Sequence, residues 1–132
     1  MHKVISIQDY QLTRNIKLKN SNTGTLDECF DDSSLISVEC FDFMKVGKEY
    51  NCKIKLFGNV VERQHNSAIL CRVISRNIII GNKKMAKVLI ERDEYYIPEE
   101  KLKDDENIDS FYFNYSRKDL IQVDDYIHAD FL

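Results

Sequence analysis

Apolar and polar residues alternate in steps of two along most of this chain. From residue 49 onward, Tyr50, Cys52, Ile54 and Leu56 alternate with Asn51, Lys53 and Lys55. A period of two puts these sets on opposite faces of a strand. After a polar turn at 62–67 the chain returns through Ala68, Ile69, Leu70, Cys71, Arg72, Val73 and Ile74. This arm is rich in β-branched residues and long enough to pair along most of the first. The pattern predicts a central hairpin over 49–80, with the rest of the chain as its cover.

The same period recurs elsewhere. Val4 and Ile7 mark one short segment, and Ile16 and Leu18 alternate with Lys17 and Lys19 in a second. Residues 20–25, Asn-Ser-Asn-Thr-Gly-Thr, read as a loop on composition. Asp27, Glu28, Asp31 and Asp32 continue that loop as an acidic surface run. Ile36, Val38 and Cys40 alternate with Ser37 and Glu39, a strand candidate over 35–43, and Gly47 marks the turn that follows. Gly58, alone inside a strand pattern, predicts a bulge or corner. Gly81-Asn82 between two apolar runs predicts a tight hairpin, since both residues tolerate positive φ.

Residues 98–106 alone have helix character, with Pro98 in a first turn followed by Glu99 and Glu100. Phe111, Phe113 and Tyr115 alternate with Tyr112 and Asn114 as a strand, 116–119 reads as a turn, and 126–131 reads as a closing strand. The pattern adds up to an all-β fold in one domain, 1–132. The expected form is a small, partly open antiparallel barrel or a sandwich with one short helical turn.

Length and composition agree with that picture. At 132 residues the chain fits one domain. Hydrophobic residues make up 43% and charged residues 31%, which argues for a folded globular chain. The 19 basic and 22 acidic residues give a net charge of −3, whereas a dedicated nucleic-acid binder more often carries a basic excess. Cys29, Cys40, Cys52 and Cys71 lack zinc-knuckle and redox spacings and read as reduced thiols. The first residues hold no long apolar core for a signal peptide, and no apolar run approaches the ~20 residues that cross a bilayer. The expected location is cytoplasmic.

Candidate chemistry is sparse. His2, His65 and His128 share no local spacing for a metal site, so neither metal nor cofactor is expected. His2 is read as flexible N-terminus, His65 as a turn residue and His128 as solvent-facing on the last strand. The four glycines, Gly24, Gly47, Gly58 and Gly81, stand singly, unlike phosphate-cradling loops or hydrolase elbows. A Cys–His nucleophile pair would have to meet in space, and each cysteine already has a place as a core or loop residue. Asp31-Asp32, Asp104-Asp105 and Asp124-Asp125 suit solvated turns better than acid–base work. The expectation is a protein without catalytic residues.

Two binding roles follow. Small barrels bind single-stranded nucleic acid on exposed aromatics within a basic groove. Phe57, Tyr112 and Tyr126 supply candidate aromatics, and Lys53, Lys55 and Arg72 a candidate basic strip. Against this, outward lysines also protect sheet edges, and the chain is acidic overall. The preferred role is to bind a protein partner such as a basic toxin domain. Asp27, Glu28, Asp31 and Asp32, with Asp104, Asp105 and Asp109, would present carboxylates to it. The tail 117–128, Arg-Lys-Asp-Leu-Ile-Gln-Val-Asp-Asp-Tyr-Ile-His, and the lead-in 43–50, Phe-Met-Lys-Val-Gly-Lys-Glu-Tyr, resemble small bacterial β proteins. Among these are immunity proteins of contact-dependent or polymorphic toxin systems. The resemblance spans about the last two thirds of the chain. It implies a cytoplasmic protein that neutralises a cognate toxin by binding it, and it carries over no individual binding residue.

Overall fold

A computed structural model describes residues 1–36, 40–102 and 107–132. The fold is all-β. Three strands open it as an antiparallel meander: β1 (His2–Asp9), β2 (Arg14–Asn20) and β3 (Leu26–Asp31). Ile16 and Leu18 face inward and are fully buried, as their alternation with lysine requires. The turn between β2 and β3 uses Gly24 at φ +80°, whose N–H donates to the Asn20 carbonyl. The two-residue strand β4 (Glu49–Tyr50) borders β1.

Five further strands pair around a ring. These are β5 (Cys52–Val61), β6 (Ile69–Ile80), β7 (Lys83–Ile90), β8 (Asp93–Pro98) and β9 (Ser110–Val123). Neighbours run β9–β5–β8–β7–β6, and β6 pairs back onto β9. The β5–β8 junction is parallel, as is the single pairing of β3 with β9 that joins the meander to the ring. A short β10 (Tyr126–Ile127) folds back on β9. Ile54, Leu56, Cys71, Val88, Ile97, Phe113 and Leu120 fill the main core.

The organising element is β9, not a hairpin over 49–80. β5 and β6 do not pair along their lengths. β9 lies between them, with Val60 opposite Phe113 on one side and Ile69 opposite Phe113 on the other. The reason is in the turns. The tight connections β6–β7, β7–β8 and β9–β10 contain Gly81, Glu91 and Asp124 at positive φ, the geometry that matches strand twist. The 62–68 link has no such residue, so nothing local locks its arms in register.

β9 runs through 116–119, where the sequence suggested a turn. Its pairing with β5 skips Ser116 and Ile121, and each extra residue reverses the alternation. The period-two signal of Phe111, Phe113 and Tyr115 is therefore lost before Leu120, Ile121 and Val123 resume the buried set. Gly58 sits at the first of these irregularities. A Cβ there would lie 1.9 Å from the Asn114 carbonyl oxygen, so the close approach of β9 requires glycine.

Three other expectations change. Ser33–Ile36 is a helical turn where a strand over 35–43 was expected, and residues 37–39 of that candidate lie outside the described residues. The helix expected over 98–106 is a 3-10 turn, Glu99–Leu102, following Pro98 at the end of β8; residues 103–106 are outside the described set. The closing strand stops at Ile127, and Ala129–Phe131 forms a second 3-10 turn. Among the described residues no helix is long and apolar enough to cross a membrane.

Candidate functional site

The acidic run in β3 was expected on the surface, and half of it is inside. Asp27, Cys29 and Asp31 occupy the inward positions of Leu26–Asp31. The backbone alternates here as elsewhere, but polar side chains fill the buried phase. Burying a carboxylate is costly unless it is paired and hydrogen-bonded, and both are. Lys118 Nζ donates to Asp27, and the Tyr95 hydroxyl lies 2.9 Å from each Asp27 oxygen. Arg14 donates from Nε and Nη2 to Asp31 at 3.1 and 2.8 Å. The Ser33 N–H donates to the other Asp31 oxygen, and Arg14 also reaches the Phe41 carbonyl. These two carboxylates hold the fold together and are not available to a partner surface.

The other members of that set are dispersed. Glu28 is exposed on β3. Asp32 is partly exposed and accepts from His128 Nε2 at 2.7 Å. Asp109 is exposed just before β9. Asp104 and Asp105 lie outside the described residues. No single acidic face gathers the described ones.

Two histidines are also placed differently from expectation. His2 is a buried β1 residue and not part of a flexible end. Burial first, and then the nearby N-terminal ammonium, lower its pKa against the pull of Asp27 and Asp93. His128 is buried and not solvent-facing. Its Nδ1 accepts the Asp130 N–H and caps the last 3-10 turn.

The feature that the sequence only half revealed lies on the outer face of the ring. Lys55 of β5, Tyr96 of β8 and Lys87 of β7 stand in one row across three paired strands. Beside them Ile80, Met85, Tyr96, Ile121 and Phe131 form a second apolar cluster outside the ring. Ile121 points there because the skip in β9 turns it away from Leu120. Phe131 is delivered by the C-terminal turn, which is gripped by the β6–β7 hairpin. The Asn82 N–H donates to the Phe131 carbonyl at 2.5 Å, and Asn82 Nδ2 to the Leu132 carbonyl at 3.0 Å.

This arrangement leaves a groove of about 930 Å³ lined by Lys55, Lys83, Lys84, Arg76, Glu99 and Phe131, among others. Arg76 is ion-paired to Glu99, which also accepts the Asn77 N–H. Burial raises the pKa of Glu99, but Arg76 and the Asn77 N–H outweigh it and hold the carboxyl below its ordinary value. Lys83 lies 4.9 Å from the Phe131 ring centre. Lys55 is half-buried, and its pKa is lowered by burial first, then by Lys83, Arg117 and Lys101. Asp119 acts in the other direction, but its two oxygens are already forked to Arg117 at 2.5 and 3.2 Å.

The Arg117 guanidinium is stacked between two rings, 4.7 Å from Phe30 and 4.5 Å from Phe57. Phe57 keeps 46% of its surface exposed. Of the six residues proposed from sequence for a basic–aromatic strip, Lys55 and Phe57 meet here. Lys53 packs over Tyr96 and lines a cleft beside His2, and Arg72 is exposed on β6. Tyr126 packs against Phe43 at 4.8 Å, and Tyr112 stands near the start of β9 opposite Leu70. Lys83, Lys84 and Arg117 were missed. The Gly81-Asn82 turn fixes where the first two project, but only the ring puts them opposite Lys55. No family model, no curated protein and no solved structure matches the chain.

Proposed function

We propose that the protein works by binding and not by bond-making, and that its ligand is a single strand of nucleic acid held in the Lys55 groove. The observation that carries this reading is the half-buried Lys55, set among Lys83, Lys84 and Lys101 and next to the exposed ring of Phe57. Cations along a groove attract the phosphate chain, and an exposed aromatic ring stacks on any base. The chain as a whole is acidic, at −3, but Lys55, Lys83, Lys84 and Arg76 all line this one groove, and it is the local placement of charge that a ligand meets.

The test is fluorescence anisotropy with labelled (dT)8 and (rU)8 at 50 and 200 mM salt. Saturable binding that weakens with salt is expected, with a log–log slope of roughly −0.7 for each phosphate neutralised. Absence of saturable binding at 50 mM salt overturns the reading.

A second reading, toxin immunity by direct protein binding, draws on the likeness of 117–128 to immunity proteins and on the exposed carboxylates of Glu28 and Asp109. Reversal at Asp31 cannot test it, because Asp31 is buried against Arg14. Glu28→Lys and Asp109→Lys can. The reading expects a one-to-one complex with a basic toxin domain that either reversal weakens, and an unchanged affinity counts against this interface.

A further inference from the structure

The large groove adjoins a smaller chamber of about 210 Å³ lined by Phe30, Phe57, Arg117, Asp119 and Asp130, with Lys55 and Phe131 lining both. The two chambers differ in chemistry. The small one has Asp32, Asp119 and Asp130 on its walls and a rigid aromatic stack as its platform. Asp119 pairs with Arg117, whose guanidinium lies over Phe57, and Lys55 Nζ lies 5.7 Å from the same ring centre, so the ring has cations beside it while nearly half its surface stays exposed. Asp119 and Asp32 are held by Arg117 and His128, and the chamber's size suits a flat ring. The large chamber carries Lys83 and Lys84, and its polar rim of Asn77, Glu99 and Glu100 offers both donors and acceptors. It has room for a whole nucleotide.

Resting on the reading above, we propose that the groove recognises a dinucleotide step: one base stacks on Phe57, the linking phosphate sits on Lys55, and the next nucleotide fills the chamber of Lys83 and Lys84. Among the described residues Lys55 is the only lysine common to both chambers, and the cations pressing on it are relieved when a phosphate arrives. The ligand is defined by its linking phosphate flanked by bases, and the sugar is left to the test.

The experiment displaces labelled (dT)8 from the full chain with inorganic phosphate, thymidine monophosphate, TpT, UpU and dUpdU. TpT is expected to compete about tenfold better than the monophosphate, although it carries less charge, because only TpT spans Lys55. Phe57→Ala, at an exposed position, is expected to weaken TpT about tenfold and to leave competition by inorganic phosphate, which has no base to stack, unchanged. Lys55→Met, which keeps the aliphatic stem, is expected to weaken TpT about tenfold, and unfolding midpoints confirm that both variants fold. UpU against dUpdU, which differ only at the 2′ position, assigns the sugar. If (dT)8 binds but inorganic phosphate or the monophosphate competes as well as TpT, or Phe57→Ala leaves TpT unchanged, the dinucleotide step is overturned while the broader reading stands. If (dT)8 does not bind, both fall together.

Discussion

Lys118 and Lys55 are both half-buried on paired strands, and the fold treats them in opposite ways. At Lys118 burial lowers the pKa, but the hydrogen bond and charge of Asp27 outweigh it and raise the ammonium above its ordinary value. At Lys55 the same burial penalty, joined by Lys83, Arg117 and Lys101, outweighs the pull of Asp119 and holds the ammonium below its ordinary value. One lysine is spent on internal structure, and the other holds an unsatisfied field at a groove. A folded chain gains nothing in stability from the second arrangement, and the binding role proposed for the groove rests on that contrast.

The largest effect that tests this contrast is on stability. Lys118→Ala leaves Asp27 buried without its cation and is expected to cost about 3–5 kcal/mol in urea unfolding, with Arg14→Ala comparable through Asp31. Lys55→Met is expected to change stability little or to raise it. If Lys55→Met destabilises as much as Lys118→Ala, the contrast is broken.

Next in size is the hairpin that holds the C-terminal turn over the groove. Gly81 has φ +60°, and a Cβ there would lie 1.8 Å from the Phe131 carbonyl oxygen. Gly81→Ala is expected to cost about 1–3 kcal/mol, to release the C-terminal turn and to weaken oligonucleotide binding along with it. Unchanged binding in a destabilised variant would show that Phe131 is not a wall of the site.

pH separates the two lysines by sign. Lys118, raised in the folded state, contributes stability that is present below its unfolded pKa near 10.4 and lost as pH rises through the folded value. Lys55, lowered in the folded state, does the reverse: its charging disfavours folding as pH falls through the lowered value. At the acid end His2 behaves as Lys55 does. Its lowered pKa gives stability that is present above pH ~6.5 and lost as pH falls through the folded value. Unfolding between pH 7 and 5 is expected to show this slope, and His2→Gln to remove that part of it. The smallest effect is that of exposed Lys84. Lys84→Ala is expected to stay within about 0.5 kcal/mol of the parent in stability and to reduce the salt slope of binding by about 0.7.

Much of the fold was legible because backbone alternation leaves its mark wherever one face is apolar. Ile16 and Leu18, Ile54 and Leu56, and Phe111 and Phe113 are buried as their spacing required. Gly81 marked its hairpin because few residues accept its φ. The β3 strand was missed because Asp27 and Asp31 take the inward phase, and a carboxylate reads as surface until its partner is known. Lys118 and Arg14 are 91 and 17 residues away from those carboxylates, so no local pattern could supply them. The site was legible only as Lys55 and Phe57 on one strand.

The sequence alone determined the β class, the tight turns and which strand faces are apolar, because each follows from interactions between residues close along the chain. Tertiary structure alone decided that β9 enters between β5 and β6, that two carboxylates are buried with distant cations, and that Lys83, Lys84 and Arg117 gather about Lys55. Those outcomes depend on which strands find one another across long loops, where register is set by packing and not by any short-range preference.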